Sequence, residues 1–318
     1  MALEIKENML LAPYTIYKIG GPARFFAEAA SGDDIRYALE FATNRALPFV
    51  IMGAGSNMLV SDGGFDGVAI RINGGEVRVD PPADGERLVC DAGVMMARAV
   101  LAAAKAGFGG FEWGIGVPGT IGGSVRGNAG CFGGEMRDVL ESAEIFDVSQ
   151  NSKFKIQNSE CSFGYRDSIF KKHPEWIILS ATLRLKSGDA DAIQQEVQRI
   201  TMERLGKQDI GTKCCGCIFK NTAWEREDTD REKLTMQFPE LAAFVNQSHI
   251  PTSFLLDRAG LKGTRMGSAV ISPKHANFFI NEGTASAEDV RKLIERAKEE
   301  VHKKFGVLIE EEIQYVGF

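Results

Sequence analysis

The apolar positions in the first part of the chain follow a helical spacing and then a strand spacing. Apolar side chains recur every three to four residues after Ser31, and Ser31 and Asp34 have the spacing of a capping box, so a helix is predicted to begin there. The apolar run 47–52 predicts a buried strand, and residues 68–72 predict another short strand. A glycine-rich loop, residues 53–57, lies between these two strands.

The same alternation of element types continues further along the chain. Residues 95–106 are rich in alanine and predict a helix that ends before Gly107. The apolar runs 144–148 and 176–185 predict strands, and apolar residues at helical spacing predict a helix over 191–205. Both helices and strands are therefore expected in this part of the chain.

The helix over 191–205 separates two predicted domains, residues 1–187 and 188–318. In the second domain Ser286 opens another capping box, and the helix that follows is predicted to end at Gly306. The charged stretch 225–233 indicates a solvated surface excursion. The whole segment 225–247 receives no role from its sequence.

The C-terminal segment alternates strictly and predicts a final strand over 307–316. This alternation places Glu312 on the face opposite Ile309 and Ile313. Three consecutive carboxylates, Glu310 to Glu312, repel one another in a strand, and a solvated sheet edge explains them as well as a functional site does.

Composition narrows the function classes. The 318 residues carry 37 Lys and Arg against 43 Asp and Glu, a net charge of −6, which disfavours a nucleic-acid binder. No uncharged apolar run approaches the ~18 residues of a membrane span, and the first ten residues lack the apolar core of a signal peptide. A cytoplasmic protein with no membrane contact is expected.

The cysteines do not indicate a disulfide scaffold or a metal centre. Six cysteines are too few for a scaffold in a chain of this length, so reduced thiols are expected. Cys214, Cys215 and Cys217 crowd together, but adjacent cysteines do not easily direct two thiolates at one ion, and the four histidines are scattered. No metal is expected, and Cys214 and Cys215 are interpreted as small buried side chains.

Glycine supplies the strongest local signal. There are 35 glycines, and many fall in the loop 53–57 and in the segment 109–134, which is too rich in glycine for regular structure and too apolar for a linker. Glycine loops let backbone N–H groups converge on a diphosphate, although either loop alone is more often a simple turn. Residues 114–119 fit G-x-G-x-x-G, but no strand leads into them, so a Rossmann site is rejected.

Several other candidates have an ordinary structural explanation on composition alone. Arg166 lies between Tyr165 and Asp167, where a surface ion pair is the more common role. Lys220 and Asn221 would usually end a strand at the surface, and the segment 272–277 around His275 would usually be a turn.

Taken together, several segments point to one family. They are Tyr17–Ala23, Gly53–Leu59, Gly114–Gly130, Tyr165–Lys171, Cys215–Asn221, Ala259–Gly263, His275–Phe278 and Glu312–Ile313. In this order they resemble the UDP-N-acetylenolpyruvoylglucosamine reductase family over nearly the whole chain.

The resemblance implies an FAD-binding unit of the vanillyl-alcohol-oxidase type in two subdomains, followed by an α+β substrate-binding domain. The residues that it assigns to FAD are Gly53, Gly55, Ser56, Asn57, Gly119, Thr120, Ile121, Gly122, Gly123 and Asn128. The apolar residues of 109–134 are then expected to pack against the flavin ring. Because the first histidine is His173, beyond both loops, FAD linked covalently through a histidine is not expected.

The resemblance also implies the reaction: NADPH reduces FAD, and the enolpyruvyl ether of UDP-N-acetylglucosamine then accepts the hydride to give UDP-N-acetylmuramate for peptidoglycan synthesis. Arg166 and Glu312 match the positions that stabilise charge on the substrate carboxylate. The proton donor of the family is usually a serine, and this chain has Cys217 there, whose thiol is a better acid than an alcohol.

Substrate contacts are expected from Tyr165, Lys207, Lys220, Asn221 and His275, and the enzyme is expected to be a monomer. Two alternatives remain at this point. One is an FAD-linked oxidase of the same fold, and the other is a non-catalytic nucleotide-binding module.

Overall fold

Helices and strands alternate along the chain. A computed structural model describes residues 3–80, 86–207 and 211–318. The helices of these residues are α1 (Gly32–Asn44), α2 (Met96–Lys105), α3 (Ile121–Arg126), α4 (Met136–Val139), α5 (Ile169–Lys172), α6 (Ala190–Lys207), α7 (Arg231–Gln237), α8 (Thr252–Arg258) and α9 (Ala287–Phe305).

The strands are mostly short. They are β1 (Ile5–Leu10), β2 (Pro22–Ala29), β3 (Phe49–Met52), β4 (Met58–Val60), β5 (Phe65–Ile72), β6 (Val77–Asp80), β7 (Arg87–Asp91), β8 (Phe108–Gly109), β9 (Gly130–Cys131), β10 (Gly134–Glu135), β11 (Leu140–Asp147), β12 (Ser152–Gln157), β13 (Trp176–Arg184), β14 (Lys186–Ser187), β15 (Thr222–Ala223), β16 (His249–Ile250), β17 (Arg265–Met266), β18 (Ala269–Ile271), β19 (Phe279–Asn281) and β20 (Gln314–Val316).

The chain divides into two compact units that are interleaved in sequence. Unit 1 comprises Met1–Leu10, Pro22–Gly55 and Phe65–Gly206, and unit 2 comprises Leu11–Gly21, Ser56–Gly64 and Lys207–Phe318. A single boundary at 187/188 does not describe this interleaving, because two short segments from the first part of the chain belong to unit 2. The assignment of FAD binding and substrate binding to residues 1–187 and 188–318 stays a prediction.

The first sheet of unit 1 has the strand order β1-β2-β5-β3. Strand β1 is antiparallel to β2, whereas β2 and β3 both pair with β5 in parallel. The predicted capping box at Ser31 is present, and the buried face of α1 carries the four apolar residues of the predicted stripe, Ile35, Ala38, Leu39 and Ala42. The capped helix and both strands predicted from this region are confirmed.

The second sheet of unit 1 is antiparallel and has the order β12-β11-β13-β7-β6. Its strands contribute Leu88, Cys90 and Ile145 to the same buried cluster that contains the apolar side of α2. Burial raises the pKa of the Cys90 thiol to about 12, so this thiol stays protonated at neutral pH. Unit 1 also contains the two-stranded sheets β9/β10 and β8/β14, and its two larger sheets agree with an FAD-binding region of two subdomains.

The glycine-rich segment 109–134 contains more regular structure than its composition indicates. Helix α3 begins after Thr120, whose hydroxyl accepts a hydrogen bond from the N–H of Gly123 at 3.4 Å. Phe111 and Trp113 are buried in the core of unit 1, with ring centroids 5.6 Å apart. The prediction of no regular structure here was wrong, because one capping hydroxyl and the buried Ile121 suffice to hold a six-residue helix.

Unit 2 packs small sheets around one long helix. The sheets pair β15 with β16, β17 with β18 and β19, and β20 with β4. Helix α9 begins at the predicted capping box of Ser286 and Asp289, ends at Gly306, and buries Val290, Ile294 and Val301 in the core. These contacts make α9 the central element of unit 2.

The predicted final strand over 307–316 is corrected to β20, residues Gln314–Val316. Residues before it are extended but change partner: Glu311 forms an isolated antiparallel bridge with Phe219, whereas β20 runs parallel to β4. A segment that switches from one partner to another cannot form one continuous ladder. The predicted alternation still holds around Glu312, since Ile309 and Ile313 are buried.

The charged stretch 225–233 is not simply a solvated excursion. Trp224, Thr229 and Leu234 are all less than 5% exposed. Of residues 225–233 only Thr229 is buried, Arg226 and Asp228 are half-buried, and the others are exposed, so the stretch lies at the surface but is anchored at Thr229 and at both ends.

No helix in the described part of the chain combines the length and apolar character needed to cross a bilayer. Within residues 3–80, 86–207 and 211–318, no group of three or more His, Cys, Asp or Glu side chains is placed to hold a metal ion.

Candidate active site

The two glycine loops predicted to hold a diphosphate meet in unit 1. A Cβ atom added to Gly53 would lie 2.5 Å from Oγ1 of Thr120, so the first loop can approach the second this closely only with glycine at this position. The second loop is fixed from behind, because Met96 N–H donates to Gly119 O at 3.0 Å and Ile121 N–H donates to Val94 O at 2.8 Å. The structure thus brings Gly53, Gly119 and Thr120 together as predicted candidates.

Several backbone donors at this junction remain available. The N–H groups of Ala54, Gly55 and Thr120 have no acceptor within the described part of the chain. A Cβ on Gly122 would lie 2.9 Å from Ala92 Cβ, whereas one on Gly123 would meet only Thr120 Oγ1 at 3.6 Å. Converging N–H groups beside an open glycine surface suit an anion such as the FAD diphosphate, so the residues present fit this cofactor.

The remaining residues of the two loops differ in what they contact. Ile121 is fully buried in the core of unit 1. Ser56 and Asn57 belong to unit 2, where the Nδ2 of Asn57 donates to the carbonyl of Glu312 at 3.0 Å. Asn57 therefore holds the backbone at Glu312, and its predicted contact with FAD stays a prediction.

Asn128 is fully buried and fixes the loop that follows α3. Its Nδ2 donates to Glu135 Oε2 at 2.7 Å and to Gly164 O at 2.8 Å, and its Oδ1 accepts from Arg137 N–H at 3.0 Å. With its amide used inside the protein, Asn128 links the glycine-rich loop to the turn that carries Arg166. Its predicted role toward FAD stays a prediction.

Arg166 lies at the tip of a tight turn in unit 1. Gly164 and Asp167 close the turn with two backbone hydrogen bonds, and Arg166 has φ 54°, a left-handed conformation that is uncommon for a residue other than glycine. Its guanidinium donates to Gly130 O at 2.7 Å and lies 5.3 Å from the ring of Tyr165. Strained residues of this kind concentrate at functional sites.

Cys217 lies in unit 2 on a short extended segment that Asn277 holds in place. Asn277 Oδ1 accepts from Phe219 N–H at 2.9 Å and its Nδ2 donates to Phe219 O at 2.8 Å, while Ile218 N–H donates to Asn277 O at 2.9 Å. Gly216 precedes Cys217 with φ 73°, a conformation that favours glycine, so the chain turns sharply just before the thiol.

Of the three clustered cysteines only Cys217 has appreciable exposure. Cys214 and Cys215 are 7% and 5% exposed, which confirms their interpretation as buried side chains. Burial raises the pKa of the Cys215 thiol, and it also raises the pKa of the adjacent Tyr17, whose hydroxyl finds no hydrogen-bond partner among the described residues. Cys217 is therefore the member of the cluster available for chemistry.

Glu312 lies on the segment paired with the one that carries Cys217. Glu312 N–H donates to Ile218 O at 2.7 Å, and Lys220 N–H donates to Glu310 O at 2.8 Å. Two backbone hydrogen bonds thus place Glu312 beside Ile218, one residue from Cys217. The structure brings these two predicted catalytic residues together within unit 2.

The repulsion expected among Glu310, Glu311 and Glu312 is relieved by separate cations. Glu310 pairs with Arg226 and lies 3.6 Å from Nζ of Lys220, and Glu311 lies 2.9 Å from Nζ of Lys298. Because side chains alternate along this extended segment, the Glu311 carboxylate lies on the side opposite those of Glu310 and Glu312. The solvated-edge explanation therefore suits Glu310, which is exposed, better than Glu312, which is half-buried.

The predicted substrate-binding residues are spread over both units. Lys220 and Asn221 are both bonded to Thr252. The Thr252 hydroxyl donates to Lys220 O at 2.5 Å, and the Thr252 N–H donates to Asn221 Oδ1 at 3.2 Å. The His275 ring lies 4.5 Å from the ring of Phe278, whose backbone bridges Cys217. Tyr165 belongs to unit 1, and Lys207 is the exposed last residue of α6.

Sequence reasoning missed Asn277 as a residue that builds the site. It stands within the matching segment His275–Phe278, but an isolated asparagine reads as a turn residue. Asn277 holds the segment through hydrogen bonds to Phe219, which lies 58 residues earlier in the chain. The one local signal was that Asn277 is followed directly by two apolar residues, Phe278 and Phe279, which is unusual for an asparagine in a turn.

Comparison with known proteins gives matches along nearly the whole chain. A family model described as the C-terminal domain of UDP-N-acetylenolpyruvoylglucosamine reductase matches residues 208–316, and a model described as an FAD binding domain matches residues 23–150.

Full-length relatives agree with these models. A UDP-N-acetylenolpyruvoylglucosamine reductase of Synechococcus sp. is 35% identical over 314 residues, covering 98% of this chain and 91% of the relative. One from Clostridium novyi is 34% identical over 316 residues, covering 99% and 92%. The crystal structure of the Thermus caldophilus reductase has a TM-score of 0.74 at 30% identity and covers 99% of this chain and 98% of its own.

We predict that Gly123→Ala weakens FAD binding at least about tenfold while the apoprotein keeps its stability, because the added methyl group meets nothing in the described part of the chain closer than 3.6 Å but adds bulk to the loop proposed to hold the diphosphate. Flavin fluorescence titration and the Tm of the apoprotein measure the two effects.

The matched control is Gly63→Ala, whose added methyl group would also meet only a hydroxyl oxygen, that of Ser61, at 3.6 Å. This variant should bind FAD normally. Unchanged FAD affinity in Gly123→Ala would show that these loops do not hold the diphosphate.

Proposed function

We propose that this chain, which belongs to the UDP-N-acetylenolpyruvoylglucosamine reductase family, carries out the family reaction with Arg166, Cys217 and Glu312 as its catalytic residues. The chain is an FAD-containing oxidoreductase that uses NADPH to reduce UDP-N-acetylglucosamine enolpyruvate to UDP-N-acetylmuramate. The observation that carries the residue assignment is the pairing of the Cys217 and Glu312 segments through Ile218 O.

FAD supplies the redox chemistry when bound: it takes a hydride from NADPH and delivers one to the substrate. The loops around Gly53 and Thr120 would hold it, with the N–H groups of Ala54, Gly55 and Thr120 as donors to the anionic diphosphate. No histidine precedes His173, so we extend the proposal to FAD that is not linked through a histidine.

The substrate chemistry defines what the protein residues must do. A hydride that adds to the β-carbon of an enolpyruvyl ether leaves an electron pair at the α-carbon, and this charge spreads into the attached carboxylate. A cation and a hydrogen-bonding acid beside the carboxylate lower the barrier. A proton must then reach the α-carbon to complete the reduction.

Arg166 is assigned the role of the cation. Its guanidinium is held by backbone carbonyls of the glycine-rich loop, Gly130 O at 2.7 Å and Asn128 O at 3.5 Å. These two carbonyl contacts hold the guanidinium in a fixed orientation. A planar guanidinium also matches a carboxylate with two donors.

Glu312 and Cys217 are assigned the other two roles. Glu312 provides the hydrogen-bonding acid at the substrate carboxylate, and the Cys217 thiol gives its proton to the α-carbon and is left as a thiolate. Both side chains stand on segments fixed by backbone hydrogen bonds and by Asn277, which limits the motion of each donor.

The substrate contacts remain as assigned from the family resemblance. Lys207 is proposed to anchor the nucleotide phosphates, and Tyr165, Lys220, Asn221 and His275 are proposed to contact the substrate elsewhere. We further propose that the enzyme acts as a monomer in the cytoplasm, where NADPH and nucleotide sugars are both available, and that it requires neither nucleic acid nor a membrane.

Replacing Glu312 by Gln should leave folding, FAD content and reduction by NADPH intact but slow transfer to the sugar nucleotide on the order of 10²-fold, because the acid at the developing charge is lost. Single-turnover absorbance of the flavin measures this step. Glu311→Gln is the matched control: it breaks the 2.9 Å pair with Lys298, and turnover should stay near the wild-type rate. A Glu312→Gln enzyme with normal transfer would remove this residue from the mechanism.

Cys217→Ala should affect only the second half-reaction, since NADPH oxidation needs no proton at the substrate α-carbon. Anaerobic stopped-flow should show normal flavin bleaching by NADPH and recovery slowed on the order of 10²-fold or more when the enolpyruvyl nucleotide is added. Cys217→Ser should restore much of the rate, because a hydroxyl can take the same position.

Cys214→Ala, at a buried thiol of the same cluster, is the control and should change neither half-reaction. Equal slowing of both steps in Cys217→Ala would assign the residue a structural role. The wild-type trace tests the function itself: a reduced flavin that air reoxidises but the enolpyruvyl nucleotide does not would contradict the reductase activity.

A further inference from the structure

Residues 222–250, called the excursion below, are a part of unit 2 whose two ends pair with each other. Strands β15 and β16 close its base through the pairs Thr222–Ile250 and Ala223–His249, and Trp224 N–H donates to Ser248 O at 3.1 Å. The excursion includes the charged segment that its sequence left without a role.

The interior of the excursion is packed. Trp224 Nε1 donates to Phe244 O at 3.0 Å, and the hydroxyl of Thr229 donates to carbonyls that include Ala223 O at 2.9 Å. The Phe238 ring lies 4.6 Å from that of Phe305 on α9. The excursion is thus a fixed platform for the charged residues on its surface.

Two of these residues, Arg226 and Asp228, form a bidentate ion pair. Nε and Nη2 of Arg226 donate to the two carboxylate oxygens of Asp228 at 2.8 and 3.0 Å. The side chains are only 25% and 23% exposed, so solvent screens the pair less than a surface pair. The pair lowers the pKa of Asp228 and raises that of Arg226, so both are charged at neutral pH.

Both members of this pair also contact the segment that leads to Glu312. Asp228 Oδ2 accepts a hydrogen bond from the N–H of Leu308 at 2.7 Å, and Nη1 of Arg226 donates to the carboxylate of Glu310. Further along, the backbone of the segment is bonded to Lys220 N–H, Ile218 O and the side-chain amide of Asn57, and Glu311 pairs with Lys298.

The contacts with Arg226 and Asp228 are important because the segment that leads to Glu312 does not form a continuous β-ladder with a neighbouring strand. Residues 308–313 lie outside the regular strands, and the only bridge among them is that of Glu311 with Phe219 within the described residues. Without Arg226 and Asp228 the segment would lose the hydrogen bond at Leu308 N–H and the guanidinium partner of the Glu310 side chain, four and two residues before Glu312. A displacement of about 1 Å at a reacting group can cost up to about 10²-fold in rate.

Resting on the proposed function, we infer that Arg226 and Asp228 are positioning residues that set the place of the Glu312 carboxylate. They do not touch the substrate. Their effect passes through Leu308 and Glu310 to the backbone at Glu312, so it concerns only the step in which Glu312 takes part.

The test compares the two half-reactions of the FAD-loaded enzyme in Arg226→Gln and Asp228→Asn. Reduction by NADPH should stay within about twofold of wild type, and the maximal rate of transfer to the enolpyruvyl nucleotide should fall about 10-fold to 100-fold. Arg226→Lys should recover part of the loss, since it keeps the charge facing Glu310 but not the bidentate geometry.

Arg291→Gln is the matched control. Arg291 also makes a bidentate pair, with Glu288 at 2.8 and 2.9 Å, and contacts a second carboxylate, Glu295, but all three lie on α9. This variant loses the same kind of network and should keep both rates. An equal loss in Arg291→Gln would overturn the inference, as would an Arg226→Gln enzyme that shows a raised KM with an unchanged maximal rate, which would make Arg226 a substrate contact.

Amide hydrogen exchange of the holoenzyme separates this inference from the proposed function. Exchange over residues 307–313 should accelerate in Arg226→Gln and Asp228→Asn and stay unchanged in Arg291→Gln, whether or not the sugar nucleotide is the substrate. Unchanged exchange in the first two variants would overturn the positioning role. A wild-type enzyme that fails to transfer to the nucleotide while exchange responds as expected would overturn the proposed function alone.

Discussion

The backbone pairing between residues 217–220 and 310–312 is the constraint on which the site in unit 2 depends. Two hydrogen bonds, Glu312 N–H to Ile218 O and Lys220 N–H to Glu310 O, join segments that are about ninety residues apart in the chain, and neither segment is part of a longer sheet. Asn277 supports one side by satisfying both polar groups of Phe219. Asn57 supports the other by binding the carbonyl of Glu312. Because buried backbone groups must be satisfied, these amides stabilise the pairing and thereby the positions of the Cys217 and Glu312 side chains.

In unit 1 the main constraint is that the backbone must come close to an anion. Gly53 and Gly123 leave room because they have no side chain. In the second loop the N–H groups of Ile121 and Gly122 donate to Val94 O and Ala92 O. Those that remain unbound face the space that a diphosphate would fill. Asn128 then connects this loop to the turn of Arg166, so the glycine-rich loop and the Arg166 guanidinium share one network of hydrogen bonds. The use of glycine and of buried amides, rather than charged side chains, explains why net charge says little about this protein's ligands.

The sequence correctly predicted the elements that depend on interactions between residues close together in the chain. The capping boxes at Ser31 and Ser286 and the apolar stripes behind them gave α1 and α9 to within a residue or two, because cap and stripe lie in one stretch of chain. The extended segment before β20 was predicted as one strand, because alternation cannot reveal a change of pairing partner. Similarly, the charges of residues 225–233 predicted a solvated segment. In the structure Asp228 accepts a hydrogen bond from Leu308 N–H, and Arg226 forms an ion pair with Glu310. The site residues could be proposed only from the family resemblance, since the contacts that define them are long-range.

The central claim is that the Cys217 thiol and the Glu312 carboxylate act on the same three-carbon group. A crystal structure of the oxidised, FAD-loaded protein soaked with the enolpyruvyl nucleotide in the absence of NADPH tests it most directly, because the substrate then binds without reacting. The account predicts Sγ of Cys217 in van der Waals contact with the α-carbon and the Glu312 side chain within hydrogen-bonding distance of the substrate carboxylate. A bound substrate whose α-carbon contacts another side chain or an ordered water in place of Cys217 would contradict it.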